Sequence, residues 1–322
     1  MKTHRRLRIV VLSLVYVLSF TSIGQLTFGQ SQTISGSTSA GVPGRPVTVP
    51  LTLRLKEARR EPELQNIDLT ISEDGEPQTV LSIRAMATNS PISLALLIQD
   101  DLVPSIGNET KALADFIRKL PRGSRVMIGY LRTGSLQVKQ KFTTDLEKAA
   151  RAIRPPVGFA SAGPYNPYVE VIESVKRFES QPAGRRAILL ISDGLDVSRG
   201  IESSSPTQSL DLQRAINEAQ RRSIAVYGFY APTRAAEGNT ILAGNAQSSL
   251  LRIASETGGH AFFQGIGAPV SFEPFIRELD QILEMQVAVT FLSTHLKKGF
   301  HRIEVRSSTP GVRIASPSGY MR

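Results

Sequence analysis

The chain has 322 residues, with 38 lysines and arginines against 28 aspartates and glutamates, and it contains no cysteine. The absence of cysteine excludes a disulfide framework, a thiolate nucleophile and a zinc site built on cysteine. The net charge is +10, but the basic residues are interspersed with acidic ones. The sequence has no zinc-finger spacing and no aromatic-basic motif, so we predict no nucleic-acid partner. The length is sufficient for one large α/β domain and a smaller unit.

Residues 1–30 have the pattern of a signal peptide. Four basic residues precede an apolar run at 9–18 that is too short for a comfortable membrane span. We therefore predict export to the medium, the periplasm or the cell envelope, with no stable membrane span once the leader is removed. A retained signal anchor is the alternative, because no Ala-x-Ala cleavage site follows. Residues 31–46, rich in Ser, Thr, Gly and Pro, predict a flexible linker.

The two ends of the remaining chain, residues 47–88 and 286–322, both read as β-strands joined by turns. Apolar and polar residues alternate in six short segments, at 47–55, 67–72, 79–83, 286–292, 300–306 and 312–315. Neither set of three strands can cover its own apolar face, so we predict one small β-sandwich built from both chain ends. Asp74-Gly75 fits a tight turn within this unit better than a calcium loop, which would need several more oxygen ligands.

Residues 89–285 alternate apolar strands with amphipathic helices. This pattern predicts an α/β fold with a doubly wound, mostly parallel sheet. An apolar run beginning at Ile92 stops at Asp100 and Asp101, and a second apolar run stops at Asp193. Because ligand-facing loops follow the carboxyl ends of strands in open α/β sheets, we expect these acidic residues to meet at one edge of the sheet.

The segment Leu189-Leu190-Ile191-Ser192-Asp193-Gly194-Leu195-Asp196, preceded by a strand that ends in acid and by a Pro/Gly loop, resembles a von Willebrand factor A domain. The flanks at 68–78 and 319–320 are similar to those of von Willebrand factor A-related secreted proteins of bacteria. The resemblance covers residues 47–322 and implies a Rossmann-like domain. We expect its working surface to lie where the loops after Ile98, before Val169 and after Ile191 converge.

Members of the wider family hold a divalent ion with Asp-x-Ser-x-Ser after the first strand, a threonine from a middle loop and an aspartate after the fourth strand. With Asp100 or Asp101 at the first position, Leu, Val or Pro stands where serines belong, and Ser161 is only a nearby substitute for the threonine. The resemblance therefore implies a degenerate metal-ion-dependent adhesion site. The alternative is that both aspartates cap the helix beginning near residue 110. The candidate ligands for Mg²⁺ are Asp100, Asp101, Ser105 and Asp193.

The resemblance implies a secreted or envelope-associated protein-binding or adhesion module that needs no tightly held cofactor. An acidic surface on a basic molecule would favour a partner that is basic at the contact. One alternative is a Mg²⁺-dependent adhesion module, and another is a hydrolase that uses the carboxylates of Asp100, Asp101 and Asp193. No enzyme is predicted, because the four histidines lack a partner at catalytic or metal spacing. The candidate partner-binding residues are Asp100, Asp101, Ser105, Ser161, Asn166, Asp193 and Asp196.

Overall fold

The computed structural model describes residues 44–55, 67–86, 90–132, 134–158, 166–182 and 184–322. The predicted signal peptide, almost all of the predicted linker and Ser161 lie outside these residues. None of the helices in the described ranges is both long and apolar enough to cross a lipid bilayer.

Thirteen strands and six α-helices make up the regular structure of the described residues. The strands are β1 (Arg45–Leu55), β2 (Leu69–Glu73), β3 (Glu76–Ala85), β4 (Ile92–Gln99), β5 (Arg125–Arg132), β6 (Ser135–Thr143), β7 (Arg185–Ser192), β8 (Ala225–Tyr230), β9 (Ala261–Phe262), β10 (Gln286–Ser293), β11 (Phe300–Ser307), β12 (Val312–Ala315) and β13 (Gly319–Met321). The helices are α1 (Thr110–Lys119), α2 (Leu146–Arg151), α3 (Pro167–Lys176), α4 (Leu210–Arg221), α5 (Thr240–Thr257) and α6 (Glu273–Glu284).

The middle of the chain forms the predicted α/β domain. Its six strands lie in the order β6-β5-β4-β7-β8-β9, and only β6 runs antiparallel to its neighbour. Counted within this sheet, the order is 3-2-1-4-5-6, which is a doubly wound arrangement. The prediction of a mostly parallel α/β sheet is confirmed.

The central strand β4 is buried on both faces, which explains why its sequence is a continuous apolar run. Successive side chains point to opposite faces of the sheet. Leu94 and Leu96 belong to the core beneath α1, α2 and α6. Ala95 and Leu97 belong to the core beneath α3, α4 and α5. The strand therefore holds two helical layers together, and the sheet edge that follows it is fixed from both sides.

The β unit combines both ends of the described chain, as predicted. Its strands lie in the order β12-β1-β10-β3-β2-β11-β13, and β1 pairs with β10 along the whole length of β10. The first of these pairs, Arg45 with Ser293, shows that β1 begins before the predicted end of the linker at residue 46.

The seven strands form one hydrogen-bonded sheet in place of two separate ones. Strand β3 joins the halves: its segment 76–78 pairs with β2, whereas 79–85 pairs with β10. Apolar side chains from both halves, including Leu51, Phe291 and Ile303, enclose one shared core. The predicted sandwich is thus a single sheet that folds back over its own core.

The β unit contacts the amino-terminal edge of the α/β sheet. Arg185, at the start of β7, is buried and donates hydrogen bonds to the Gln286 side chain at the start of β10 and to the carbonyl oxygens of Ser90 and Leu283. The carboxyl ends of the strands therefore lie at the opposite edge, away from the β unit. We call the loops and helix starts at that opposite edge the apical side of the domain.

Candidate functional site

Asp100 leaves the sheet directly after β4, and its buried carboxylate forms an ion pair with Arg154, whose side chain is one-third exposed. Arg154 donates to both of its carboxylate oxygens, at 2.8 and 2.9 Å, and the Val157 backbone N–H donates to Oδ1 at 3.1 Å. Burial by itself would raise the pKa of Asp100, but the hydrogen bonds and positive charge of Arg154 hold it below its usual value. Asp100 is thus an ionised carboxylate whose oxygens are already engaged.

Gln99, the last residue of β4, makes the contact with the next strand that the sequence analysis assigned to an aspartate. Its side-chain oxygen accepts hydrogen bonds from the Ser192 hydroxyl at 2.6 Å and from the Asp193 N–H at 3.0 Å. Its amide nitrogen donates to Asp101 Oδ1 at 2.9 Å. Gln99 is therefore the side chain that faces Asp193, one residue before Asp100 and two before Asp101, the residues placed at the first motif position from the sequence.

Asp193 is buried at the end of β7, where two donors hold it. Thr233 donates its hydroxyl to Oδ2 at 2.9 Å, and the Leu195 N–H donates to Oδ1 at 3.1 Å. Burial, together with the charge of Asp101, raises the pKa of Asp193 to about 7. Burial and the charge of Asp100 also raise the pKa of Asp101, which is half-buried. Two neighbouring carboxyl groups at this edge therefore bind a proton more readily than exposed ones.

Asp196 and Asn166 organise the starts of helices. Asp196 accepts hydrogen bonds from Ser198 and, at 2.6 Å, from the hydroxyl of Ser209, which itself caps α4. Asn166 caps α3 by accepting from the Tyr168 N–H and donates to Asp211 at 2.8 Å. Both side chains are buried. Their contacts fix the apical ends of two helices.

The aspartates predicted to form an exposed acidic surface are mostly withdrawn from solvent, and only Asp101 is half-exposed. Asp100, Asp193 and Asp196 are only 4%, 3% and 4% exposed, and Ser105 is exposed on a 3-10 turn at 104–109, apart from their hydrogen bonds. The helix-capping alternative for Asp100 and Asp101 is also wrong, because α1 begins without a side-chain cap. The structure brings Asp101 and Asp193 together through Gln99, and it directs Asp100 towards Arg154.

The apical side carries a set of exposed apolar side chains that the sequence analysis did not single out. Val157 lies in the loop between α2 and α3, and each of the others lies in a loop after a strand end or in the first turn of a helix. Isolated apolar residues at such positions give no periodic signal. We call this set the apical surface: Val157, Val169, Ile201, Leu210, Ile241, Phe263, Ile266 and Val270.

Replacing Asp193 with Asn tests its buried, proton-binding state. We expect the contribution of Asp193 to stability to fall as pH rises from about 4 to about 7, because the folded state keeps a proton on this carboxyl group that the unfolded state releases. Asn retains an acceptor for Leu195 and gains a donor for Thr233, so we expect it to remove this decline and raise stability near pH 8 by about 1–3 kcal/mol. Urea unfolding near pH 5 and pH 8 measures the difference. Asp115→Asn, at an exposed carboxylate, is the control, and an unchanged pH slope in Asp193→Asn contradicts the assignment.

Comparison with known proteins gives matches only among solved structures. No protein-family model and no curated protein matches the sequence. A structure described as an aerotolerance-related membrane protein from Bacteroides fragilis is 13% identical, covers 60% of this chain and 98% of its own, and has a TM-score of 0.42. BatB from Bacteroides thetaiotaomicron is 14% identical, with coverages of 60% and 97% and a TM-score of 0.41. A von Willebrand factor type A structure from Catenulispora acidiphila is 10% identical, with coverages of 84% and 72% and a TM-score of 0.41.

Sequence identities and TM-scores this low give no information about what the chain binds. The chain's own topology is more informative: the sheet order is 3-2-1-4-5-6, a polar loop follows its first strand, and Ser192-Asp193-Gly194 follows its fourth. These features agree with the family resemblance predicted from the sequence. The α/β domain of this chain accordingly has the doubly wound fold that the resemblance to a von Willebrand factor A domain implies.

Proposed function

We propose that the chain is a non-enzymatic protein-binding module that uses the apical surface to contact an apolar segment of its partner. The observation that carries this proposal is that eight exposed apolar side chains lie on loops and helix starts at the edge of the sheet opposite the β unit. Scattered apolar residues are ordinary on protein surfaces, but a set gathered at the ligand-facing edge of an α/β sheet is typical of an interaction site.

Hydrogen bonds between apical segments hold this surface in place. Asn245 of α5 donates to the hydroxyl of Ser204, beside Ile201, and Gln247 of the same helix donates to the carbonyl of Gly265. Tyr230, at the end of β8, donates its hydroxyl to the carbonyl of Ile266. Little conformational freedom is then left to lose on binding, which favours affinity.

The oxygen atoms of the described apical residues do not fit a Mg²⁺ site, which supports binding without a metal. Mg²⁺ requires near-octahedral oxygen coordination. Asp100 is paired with Arg154, the oxygens of Asp193 already accept two hydrogen bonds, and the neutral amide of Gln99 stands between Asp193 and Asp101. We infer that these groups form a degenerate metal site whose role is to brace the apical loops.

The same contacts bear on the chemistry of the partner and on the enzyme alternative. The ion pair with Arg154 and the burial of Asp193 remove the reason for expecting a basic partner. A hydrolase would need two carboxylates free to reach one substrate atom, and Asp100 is held away from Asp193 by its guanidinium partner. An apolar contact segment on the partner is the better match to the exposed side chains.

We also propose export to the cell envelope or medium, on the strength of the basic-then-apolar residues 1–30. Amino-terminal sequencing of the protein recovered from these fractions tests the proposal. A first residue beyond 20 supports removal of the leader, and recovery only from the cytosol with Met1 intact rules export out.

Two apical substitutions test the binding proposal. Ile201 and Ile241 are exposed and lie on the two segments joined by Asn245, so the double variant Ile201→Ser/Ile241→Ser removes apolar contact area without opening the core. We expect this variant to lose at least nine-tenths of the partner captured from the envelope fraction, measured by quantitative mass spectrometry.

The matched control is Leu81→Ser/Leu251→Ser, which removes two exposed leucines outside the apical side. It is expected to capture as much partner as the unmodified chain. Full capture by the apical variant, or an equal loss in the control, would exclude the apical surface as the contact site.

A further inference from the structure

The β unit contains a buried carboxylate with hydrogen bonds to only one of its two oxygen atoms. Glu73, the last residue of β2, is fully buried, and its Oε1 accepts hydrogen bonds from the hydroxyls of Tyr320 at 2.5 Å and Ser293 at 3.0 Å. Its Oε2 is also buried but has no hydrogen-bond partner within the described residues. Burying a carboxylate oxygen without a hydrogen bond costs free energy, so we expect this atom to have a ligand.

A second unpartnered ligand atom faces this oxygen. His295, just after β10, places its Nδ1 3.4 Å from Glu73 Oε2, and this nitrogen is likewise buried and without a hydrogen bond among the described residues. Zinc binds nitrogen and oxygen ligands at about 2.0–2.1 Å in tetrahedral geometry, which sets neighbouring ligand atoms roughly 3.3–3.4 Å apart. The separation of these two atoms is therefore that of two ligands sharing one cation.

Asp74, in the turn after β2, supplies a third carboxylate. Ligand atoms from Glu73, Asp74 and His295 all lie within 4.8 Å of one another. The Arg302 N–H and the His301 ring nitrogen, each at 2.8 Å, hold the Asp74 carboxylate beside the cluster. Asp74 is exposed, whereas Glu73 is fully buried, so the cluster opens to solvent on one side.

A further carboxylate lies behind the histidine ring. Glu76 Oε2 is 3.6 Å from the other ring nitrogen of His295, Nε2. Histidines that ligate metals commonly direct their second nitrogen to a carboxylate, which orients the ring and increases its basicity. The cluster thus has three candidate ligands and a group that orients one of them.

We infer that Glu73, Asp74 and His295 bind one divalent transition-metal ion of the zinc class, with water completing the coordination. One imidazole and two carboxylates suit zinc or a similar borderline ion better than Mg²⁺ or Ca²⁺, which take oxygen ligands alone. The ion joins β2 to the segment after β10, and hence the two ends of the chain. Its role is structural: it stabilises the β unit, which contacts the α/β domain through Arg185.

Zinc titration of the full, tag-free chain tests this site. Calorimetry is expected to show one high-affinity zinc per chain, and zinc is expected to raise the melting temperature because it binds only the folded β unit. Cobalt substitution gives an independent readout: a four-coordinate site produces strong visible absorption. The absence of cysteine simplifies this spectrum, since no thiolate contributes to it.

Single substitutions distinguish this cluster from other histidines. We expect His295→Gln, at a partly exposed position, and Glu73→Gln, which keeps an acceptor for Tyr320, each to weaken zinc binding at least tenfold. His260→Gln removes a histidine of the α/β domain and is expected to leave affinity unchanged. If Glu73→Gln does not fold, His295→Gln decides the outcome.

The competing explanation is a direct contact between the side chains of Glu73 and His295 that needs no metal. A chain that binds no zinc, or a His295→Gln variant that binds zinc as tightly as the unmodified protein, overturns the proposal. An equal loss of affinity in His260→Gln overturns it too, because the ion would then lie elsewhere.

Discussion

Replacing Gly259 with alanine is expected to leave the chain unable to maintain its native fold. A Cβ atom at this position would lie 1.9 Å from the carbonyl oxygen of Val226 and 2.6 Å from its carbonyl carbon. Val226 belongs to β8, where its backbone pairs with Ile188 of β7 and its N–H donates to the hydroxyl of Thr257, so both neighbours hold it in place. Overpacking against backbone cannot be relieved by a side-chain rotation, so we expect a loss of about 4 kcal/mol or more. The yield of soluble protein and the urea midpoint measure the loss.

Gly244→Ala is the matched control for this substitution. Gly244 lies within α5, and an added Cβ there meets no atom within 4 Å. Alanine is the better helix former, so we expect a gain of about 0.5–1 kcal/mol. Unfolding of Gly259→Ala at the same urea concentration as the unmodified chain would show that Gly259 does not pack against β8 as described.

Replacing Asp100 with alanine is expected to destabilise the protein by about 2–4 kcal/mol. The substitution removes the two hydrogen bonds to Arg154 and leaves the Val157 N–H without its acceptor. The cost stays below that of a fully buried pair because the Arg154 side chain is one-third exposed and regains water. Chemical denaturation measures the change, and a double-mutant cycle with Arg154→Met isolates the pair.

Because the pKa of Asp100 is lowered, the stability that this ion pair contributes depends on pH. A carboxylate with a lowered pKa contributes stability that is present above its unfolded-state pKa near 4 and is lost as pH falls further. Asp100→Ala is therefore expected to lose stability near pH 7 and to converge on the unmodified chain in strong acid. Glu147→Ala, at an exposed carboxylate paired with Arg118 and Arg151, is the control and is expected to cost much less. An equal cost in the two variants would mean that the Asp100 pair is not buried.

The sequence predicts most of the fold because the decisive patterns are local. The continuous apolar run at β4 identifies a strand that is covered on both faces, and its helical neighbours have a regular apolar stripe. The joining of the two chain ends also follows from a local argument, since neither group of strands can cover itself. The division of β3 between two partners does not follow, because it depends on how the completed sheet bends.

The candidate site is less predictable because its contacts are remote in sequence. Arg154 lies more than 50 residues from Asp100, and no local pattern marks it as the partner. Gln99 resembles an ordinary strand end until the pairing of Ile98 with Ile191 places it beside Ser192. Residue order alone therefore cannot decide which side chain at the end of β4 faces Asp193.

The histidines illustrate the same limit. The spacing of the histidines along the chain is not that of metal ligands, and Asp74-Gly75 has the sequence pattern of an ordinary tight turn. Pairing of β2 with β11 nevertheless brings Asp74 to His301, and the segment after β10 brings His295 to Glu73. A cluster assembled from the end of β2 and the segment after β10 leaves no signature in either segment alone.

The most direct test of metal-free apical binding is the dissociation constant of the captured partner, measured with saturating Mg²⁺ and in magnesium-free buffer. We expect the same constant under both conditions for the unmodified chain, because the described apical oxygens are engaged by protein donors. Ile201→Ser/Ile241→Ser is expected to bind at least tenfold more weakly under both. A constant that rises tenfold or more when magnesium is removed, with the apical double variant binding as tightly as the unmodified chain, would contradict the proposed function.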